Sequence, residues 1–252
     1  MFPLKDNLRC NNFATISTWL IVANLLAFFA EVGMIVSGHQ QEFFSTWLMV
    51  PHNFFTDIAS GDPSAVGWAI VTVFSSMFLH GSFGHIFGNM FFLYVFGKAV
   101  ENRIGKWRFL AFYLACGILA ALCHAYSEPG SMIPTLGASG AIAGVLGAYL
   151  LLWPTATITG FYVAPAPALV QTKAYWFLFG WFIMQITGVL QAIGSVSGGG
   201  VALWAHIGGF VAGFILAGVV KIAQPVTEVC IVPVPDCKPE DEAKADKKSK
   251  KK

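Results

Sequence analysis

Charged side chains are scarce in this sequence. They make up 11% of its 252 residues, whereas hydrophobic residues make up 56%. A soluble domain usually has about a quarter of its residues charged. The deficit therefore argues against a soluble domain and predicts a membrane protein with several spans. The net charge of +2 is uninformative by itself, and no nucleic-acid partner is expected.

Cysteine is also sparse, and so are the features of a cleaved leader. The five cysteines form neither a CxxC pair nor the regular framework of a secreted disulfide-rich domain. No small-residue cleavage site follows the first apolar run, which we interpret as a retained anchor. The sequence also lacks an Arg- and Ser-rich leader, so we expect a bacterial or archaeal inner membrane.

Long apolar segments are what the sequence has in abundance. A spanning helix needs about 20 mostly apolar residues. Six segments qualify, at 14–37, 83–97, 109–126, 137–153, 174–193 and 201–220. Another apolar stretch, 66–79, predicts a re-entrant or interfacial piece before the short second span. The expected fold is an all-α membrane protein, a six-helix bundle with a membrane-associated first loop.

The basic residues alternate with these spans. All 15 Lys and Arg lie before the first span, between the second and third, between the fourth and fifth, or after the sixth. By the positive-inside rule, both termini are predicted to be cytosolic. The chain then divides into a cytosolic N-terminus, a six-span core and a disordered charged tail, at 1–13, 14–220 and 221–252. The Lys-rich end could bind anionic lipid or act as a retrieval signal, although a solvated tail is the favoured interpretation.

Polar side chains inside the predicted spans fall at one depth. At 1.5 Å per residue, His85 lies about 20 Å above the inner end of its span, and Ser139 and His206 each lie about 22 Å above theirs. Asn89 is one turn from His85 on the same face. Polar groups inside a bilayer are costly and indicate function.

The chemistry indicated is nucleophilic attack. A serine hydroxyl needs a base, which is most often a histidine, and the oxyanion that forms needs donors aimed at it. His85, Asn89 and the backbone N–H of Ser139 can supply those donors, and Ser139 begins its helix, where negative charge is favoured. No acidic residue lies at this depth, so a Ser–His dyad is predicted rather than a triad.

Small residues form stripes on two of the spans. They recur at Gly140, Gly144 and Gly147, and at Ala205, Gly209 and Gly213. Such stripes let helices approach closely in lipid, which a serine and a histidine with short side chains require. Taken singly, each feature is better explained by packing, helix capping or an interfacial position. Their coincidence of depth on three helices favours a site.

Three quoted segments resemble the rhomboid intramembrane serine proteases. They are "MFLHGSFGHIFGNMFFLYVFGKAVENRIG", "LGASGAIAGVLGAY" and "AHIGGFVAGF", in the family's order. The resemblance covers the core from about 14 to 220. Its pattern is specific: His–x4–His–x3–Asn, then Gly-x-Ser-Gly opening a helix, then Ala-His-x-Gly-Gly.

The resemblance implies a role for each motif residue. Ser139 would be the nucleophile, His206 its base, and His85 and Asn89 part of the oxyanion hole with Ser139. His80 would organise the loop before the second span, with Gly137, Gly140 and Gly209 as structural neighbours. The implied activity is cleavage of single-span membrane proteins in or near their transmembrane segment. No metal or cofactor is implied, and membrane lipid is the expected surrounding.

The sequence departs from the family's pattern at two places. Trp68 is present, but the arginine that often follows such a tryptophan is absent. The aromatic residue that some members carry one turn after the serine is Ala143 here, so another group must orient His206. His124 and Glu31 are interpreted as structural residues paired with loop groups.

Two other functions are weighed against proteolysis. A catalytically silent relative would bind transmembrane segments for quality control, and such relatives usually lose the serine or the histidine. A channel or transporter would carry polar residues through its whole depth, whereas the inner half of these spans is nearly all apolar. An active intramembrane serine protease is therefore the leading hypothesis.

Overall fold

The computed structural model describes residues 2–8, 14–162, 167–193 and 202–223. Side chains are described as far as residue 186 in the helix that ends at 193, and as far as 219 in the last helix. The predicted outward loop 194–200 and the predicted charged tail beyond 223 lie outside the described residues.

Helices account for most of the described chain. In chain order they are α1 (Thr15–Val36), α2 (Gln40–Trp47), α3 (Pro51–Ser60), α4 (Pro63–Ser76), α5 (Phe83–Phe92), α6 (Lys98–Ile104), α7 (Lys106–Ser127), α8 (Ser139–Leu152), α9 (Ala174–Ile193) and α10 (Leu203–Ala223). By length and composition, α1 and α7 can each cross a membrane. Shorter apolar helices are α4, α8 and the described parts of α9 and α10. These helices agree with the predicted helical membrane fold, and the six-span topology stays a prediction.

The second predicted span, 83–97, is longer and less regular than expected. Helix α5 passes through a π-helical turn at Leu93–Gly97 and continues directly into α6. The carboxylate of Glu101 in α6 accepts hydrogen bonds from the backbone N–H groups of Ile16 and Ser17, at 2.8 and 2.7 Å. The first N–H groups of a helix have no partner within that helix. Glu101 therefore supplies a buried cap for the start of α1.

A small antiparallel sheet, which the all-α prediction missed, lies at one end of the bundle. Its strands are β1 (Phe2–Asp6), β2 (Thr157–Tyr162) and β3 (Ala168–Lys173), in the order β1-β2-β3. Strands β2 and β3 form the connection between α8 and α9. The hydroxyl of Tyr149 in α8 donates a 2.9 Å hydrogen bond to Oδ2 of Asp6. This contact ties the N-terminal strand to the bundle.

The first loop consists of three helices, α2 to α4, rather than a single apolar piece. Trp68 in α4 donates from Nε1 to the carbonyl of Thr46 at 3.2 Å and packs against Trp47 with ring centroids 5.3 Å apart. Met49, between α2 and α3, receives a backbone hydrogen bond from Thr135 at 2.9 Å. The first loop thus holds the segment that leads into α8.

Candidate active site

Ser139 and His206 meet at the end of the bundle opposite the sheet. Oγ of Ser139 lies 2.7 Å from Nε2 of His206, although the two residues are 67 positions apart in the chain. Ser139 is the first residue of α8 and is half-buried, whereas the side chain of His206 is only 6% exposed. The distance falls within the range of about 2.6–3.2 Å expected for a nucleophile and its general base.

Direct backbone contact between α8 and α10 makes this distance possible. A Cβ atom placed on Gly209 would overlap the carbonyl oxygen of Gly140, and one on Gly213 would overlap the carbonyl of Gly144. The two helices therefore touch at their main chains, as the small-residue stripes predict. His206 lies one turn before Gly209 and Ser139 immediately precedes Gly140, so the closest approach of the helices is next to this pair of side chains.

The predicted oxyanion side of the site surrounds Gly137. This residue has a φ angle of +118°, a backbone conformation that residues other than glycine rarely adopt. A Cβ here would lie 2.8 Å from Nε2 of His85 and 3.7 Å from Nδ2 of Asn89. The backbone just before Ser139 thus runs against both predicted donors. Gly137 also donates a 2.8 Å backbone hydrogen bond to Ser76 at the end of α4.

His80 connects the first loop to Asn89. Its Nδ1 lies 3.2 Å from the carbonyl oxygen of Phe78, and its Nε2 lies 2.9 Å from Nδ2 of Asn89. A carbonyl only accepts, so the first contact assigns the proton to Nδ1 and leaves Nε2 to accept from the amide of Asn89. The backbone N–H of His80 donates to Oε2 of Glu31 at 2.8 Å.

The structure brings the predicted residues together. Those that meet around the serine are Ser139, His206, His85, Asn89, His80, Gly137, Gly140 and Gly209. Glu31 contacts a loop group, as its structural interpretation expected. Ala143 is buried in α8, and the aromatic neighbour of the base comes instead from α9.

That neighbour is Trp181, which sequence reasoning missed. Its ring centroid lies 5.7 Å from that of His206, with the ring planes 46° apart. It also approaches Phe92 at the end of α5, with centroids 6.3 Å apart. No motif distinguishes this residue, because α9 carries five other aromatic residues and only the tertiary fold decides which of them faces α10.

Comparison with known proteins identifies the family of this chain. The sequence pattern of the Rhomboid domain matches residues 67–222, which is more than half of the chain. The chain belongs to the rhomboid family. Rhomboid proteins are integral membrane proteins, and the characterised members of the family are intramembrane serine proteases.

Several named rhomboid proteins are similar to this chain. The rhomboid-family protein YdcA of Bacillus subtilis is 30% identical over 148 residues, which cover 58% of this chain and 69% of YdcA. RHOMBOID-like protein 12, mitochondrial, of Arabidopsis thaliana is 34% identical over 157 residues, which cover 54% of this chain and 46% of that protein. Rhomboid protease GluP of Bacillus subtilis is 32% identical over 161 residues, which cover 62% of this chain and 27% of GluP. The match thus spans less than half of the last two proteins.

Proposed function

We propose that this rhomboid is an active intramembrane serine endopeptidase that cleaves single-span membrane proteins in or near their transmembrane segment. The observation that carries the proposal is the 2.7 Å contact between Oγ of Ser139 and Nε2 of His206. A serine becomes a nucleophile when an adjacent base can take its proton. Family membership supports the same chemistry, because the characterised rhomboids are intramembrane serine proteases.

The residues around Ser139 suit each step of peptide hydrolysis. Nε2 of His206 takes the hydroxyl proton as Oγ of Ser139 bonds to the carbonyl carbon of the scissile peptide. The oxyanion of the tetrahedral intermediate then meets the backbone N–H groups at the start of α8 and the side chains of Asn89 and His85. The proton on His206 passes to the leaving amine as the C–N bond breaks. A water molecule then hydrolyses the acyl enzyme by the reverse proton path.

Two features favour this function over a silent rhomboid that only binds transmembrane segments. Both members of the dyad are retained and aligned. Ser139 is half-buried, whereas water and a peptide could not reach a fully enclosed serine. Proteolysis needs both properties, whereas binding alone needs neither.

The membrane arrangement proposed is the one that the charge pattern predicts. Six helical segments cross the bilayer: α1, α5 with its continuation, α7, α8, α9 and α10. Both termini are cytosolic, which puts the sheet on the cytosolic side and the dyad in the outer half. A bacterial or archaeal inner membrane is the proposed location.

The test uses the full chain purified in detergent and returned to vesicles. It is incubated with a panel of single-span proteins and, separately, with a fluorophosphonate probe. We expect cleavage of at least one substrate and labelling that maps to Ser139, and loss of both in Ser139→Ala. Cleavage that persists in Ser139→Ala, or a wild-type protein that neither cleaves nor labels, would contradict the proposal.

A further inference from the structure

Two buried ring nitrogens beside the dyad have no hydrogen-bond partner within the described part of the chain. They are Nδ1 of His206 and Nδ1 of His124. Both side chains are 6% exposed, so neither nitrogen is freely solvated. Buried polar side-chain atoms are nearly always hydrogen-bonded in native structures, to protein or to ordered water. Two such atoms near one catalytic site therefore call for a common explanation.

The chemistry of the dyad fixes what Nδ1 of His206 requires. Nε2 accepts the proton of the Ser139 hydroxyl, so a neutral ring must carry its own proton on Nδ1. After proton transfer both nitrogens carry protons and the ring is a cation. In each state Nδ1–H is a donor, and it needs an acceptor. The triad proteases use an aspartate for this purpose.

His124 lies on the helix that packs against both dyad helices. Ala120 lies one turn before His124 in α7. A Cβ atom placed on Gly140 would lie 2.7 Å from Cβ of Ala120, and one placed on Gly209 would lie 3.3 Å from it. Residues four apart share a helix face, so His124 faces the starts of α8 and α10. The adjacent Cys123 packs against Gly208, two residues after His206.

The other described neighbours of His206 either face another part of the site or offer no acceptor. The ring of His85 packs against His80, with centroids 5.0 Å apart, and its Nε2 lies against Gly137. The ring of Trp181 offers only an N–H donor and an aromatic face. Ser139 is bonded to the opposite nitrogen. Among the described side chains, a neutral His124 with its proton on Nε2 presents Nδ1 as a lone-pair acceptor.

We propose that His124 is a positioning residue for the base, and that its Nδ1 accepts from Nδ1–H of His206 through one bridging water. This inference rests on the proposed protease function and extends the dyad to a third residue. A water that joins two buried polar atoms is a normal part of a protein interior. The bridge holds the imidazole ring with Nε2 aimed at Ser139. The bridging water also accepts a charge-assisted hydrogen bond from Nδ1–H of His206 once the ring has taken the serine proton.

The test compares three variants of the full chain. His124→Leu removes the acceptor and keeps an apolar side chain of similar bulk. His124→Asn keeps polar atoms at the same number of bonds from the backbone as Nδ1. Cys123→Ala is the matched control, because Cys123 is the adjacent residue and packs against α10 beside Gly208 without a place in the proposed bridge. The readouts are the labelling rate of Ser139 by the fluorophosphonate, kcat and KM for a cleaved substrate, and Tm.

We expect His124→Leu to lower the labelling rate and kcat by about 10- to 100-fold with KM unchanged, as for the loss of one hydrogen bond to a charged group. His124→Asn should recover most of the rate, and Cys123→Ala should match the wild type. Wild-type labelling in His124→Leu would overturn the inference. Equal losses in His124→Leu and His124→Asn, or in Cys123→Ala, would overturn it as well, because helix packing would then explain the effect.

The wild-type protein separates this inference from the proposed function. If the wild type neither labels nor cleaves, the protease function itself has failed. If the wild type reacts at Ser139 and His124→Leu reacts equally fast, only the role of His124 has failed.

Discussion

Nε2 of His80 lies 2.9 Å from the amide nitrogen of Asn89. This hydrogen bond fixes one N–H of the amide and with it the plane of the side chain. The second N–H is then held in one direction, and the backbone of Gly137 lies nearby. An oxyanion donor works best when its orientation is set before the reaction. His80, in the loop before α5, thus sets the orientation of the Asn89 side chain.

The first prediction concerns that donor. Replacing Asn89 by alanine should lower kcat by about 10²–10³ while KM stays near the wild-type value, because the oxyanion forms only during the reaction. Steady-state cleavage of a single-span substrate measures both constants. Asn53→Ala, at an exposed position of α3, is the control and should change neither. An unchanged kcat in Asn89→Ala would show that backbone N–H groups suffice.

The second prediction concerns Glu31, which is fully buried and accepts from the backbone N–H of His80. Glu31→Leu leaves that donor without a partner, at a cost of about 1–3 kcal/mol. We expect a lower Tm and a lower kcat, because the loop that carries His80 loses its anchor. Glu31→Gln keeps an acceptor oxygen and should recover most of both.

Glu42→Leu, at an exposed position of α2, serves as the control for the loss of one carboxylate. If Glu31→Leu has the same Tm and kcat as the control, the anchor plays no part in holding the loop.

The positions of the helices and the residues of the site were accessible from sequence for a physical reason. The length of an apolar segment and the basic residues at its ends indicate a membrane helix. The rise of the helix per residue then gives the depth of each residue in the membrane. Ser139, His85 and His206 could therefore be assigned to one level before any contact was known. The hydrogen bond between Ser139 and His206 agrees with that assignment.

Other features depend on tertiary structure and left no comparable signal. The sheet joins residues 2–6 to 157–173, and such short strands far apart in the chain show no long periodic pattern. Trp181 faces His206 only because α9 packs beside α10. The hydrogen bond from His80 to Glu31 spans 49 positions between a loop and α1, so neither residue predicts the other.

The third prediction concerns Gly209. The small-residue stripes predict that a side chain at this position pushes the sixth span away from the fourth, so that Gly209→Val abolishes proteolysis. The structure places the carbonyl oxygen of Gly140 where any Cβ would lie, so alanine should also force the helices apart. A shift of about 1 Å in the reacting groups can lower the rate by about 10²-fold. We expect losses of at least that size in both variants, measured as cleavage and as labelling of Ser139.

Gly218→Ala is the matched control for Gly209→Ala. It changes the same residue type on the same helix, but its nearest neighbour would be a side-chain atom of Leu151 at an ordinary 3.7 Å. It should cleave at the wild-type rate. If Gly209→Ala also cleaves at that rate, close backbone approach does not set the geometry of the dyad.

The fourth prediction concerns the pH dependence of stability. Burial raises the pKa of the Asp6 carboxyl above its ordinary value of 3.8, although the hydrogen bond from Tyr149 opposes the shift. A carboxyl with a raised folded-state pKa stabilises the fold at low pH. That contribution is lost as the pH rises through the raised value. Asp6→Asn keeps an acceptor for Tyr149 and has no such titration.

Thermal unfolding of both proteins between about pH 4 and pH 8 measures this effect. The Tm of the wild type relative to Asp6→Asn should fall as the pH increases. A constant difference across the range would show that Asp6 is as well solvated in the folded protein as in the unfolded one.

The sheet also has a consequence for biosynthesis. Asp6 in β1 pairs with Ile158 in β2, and these residues are separated by most of the helical bundle. During translation, the N-terminal strand leaves the ribosome long before its partner exists, so it stays unpaired while the intervening helices enter the membrane. Closure of the sheet is therefore a late event that follows the synthesis of α8. A ribosome stalled before residue 157 would display the first strand to proteases, whereas the finished chain would protect it.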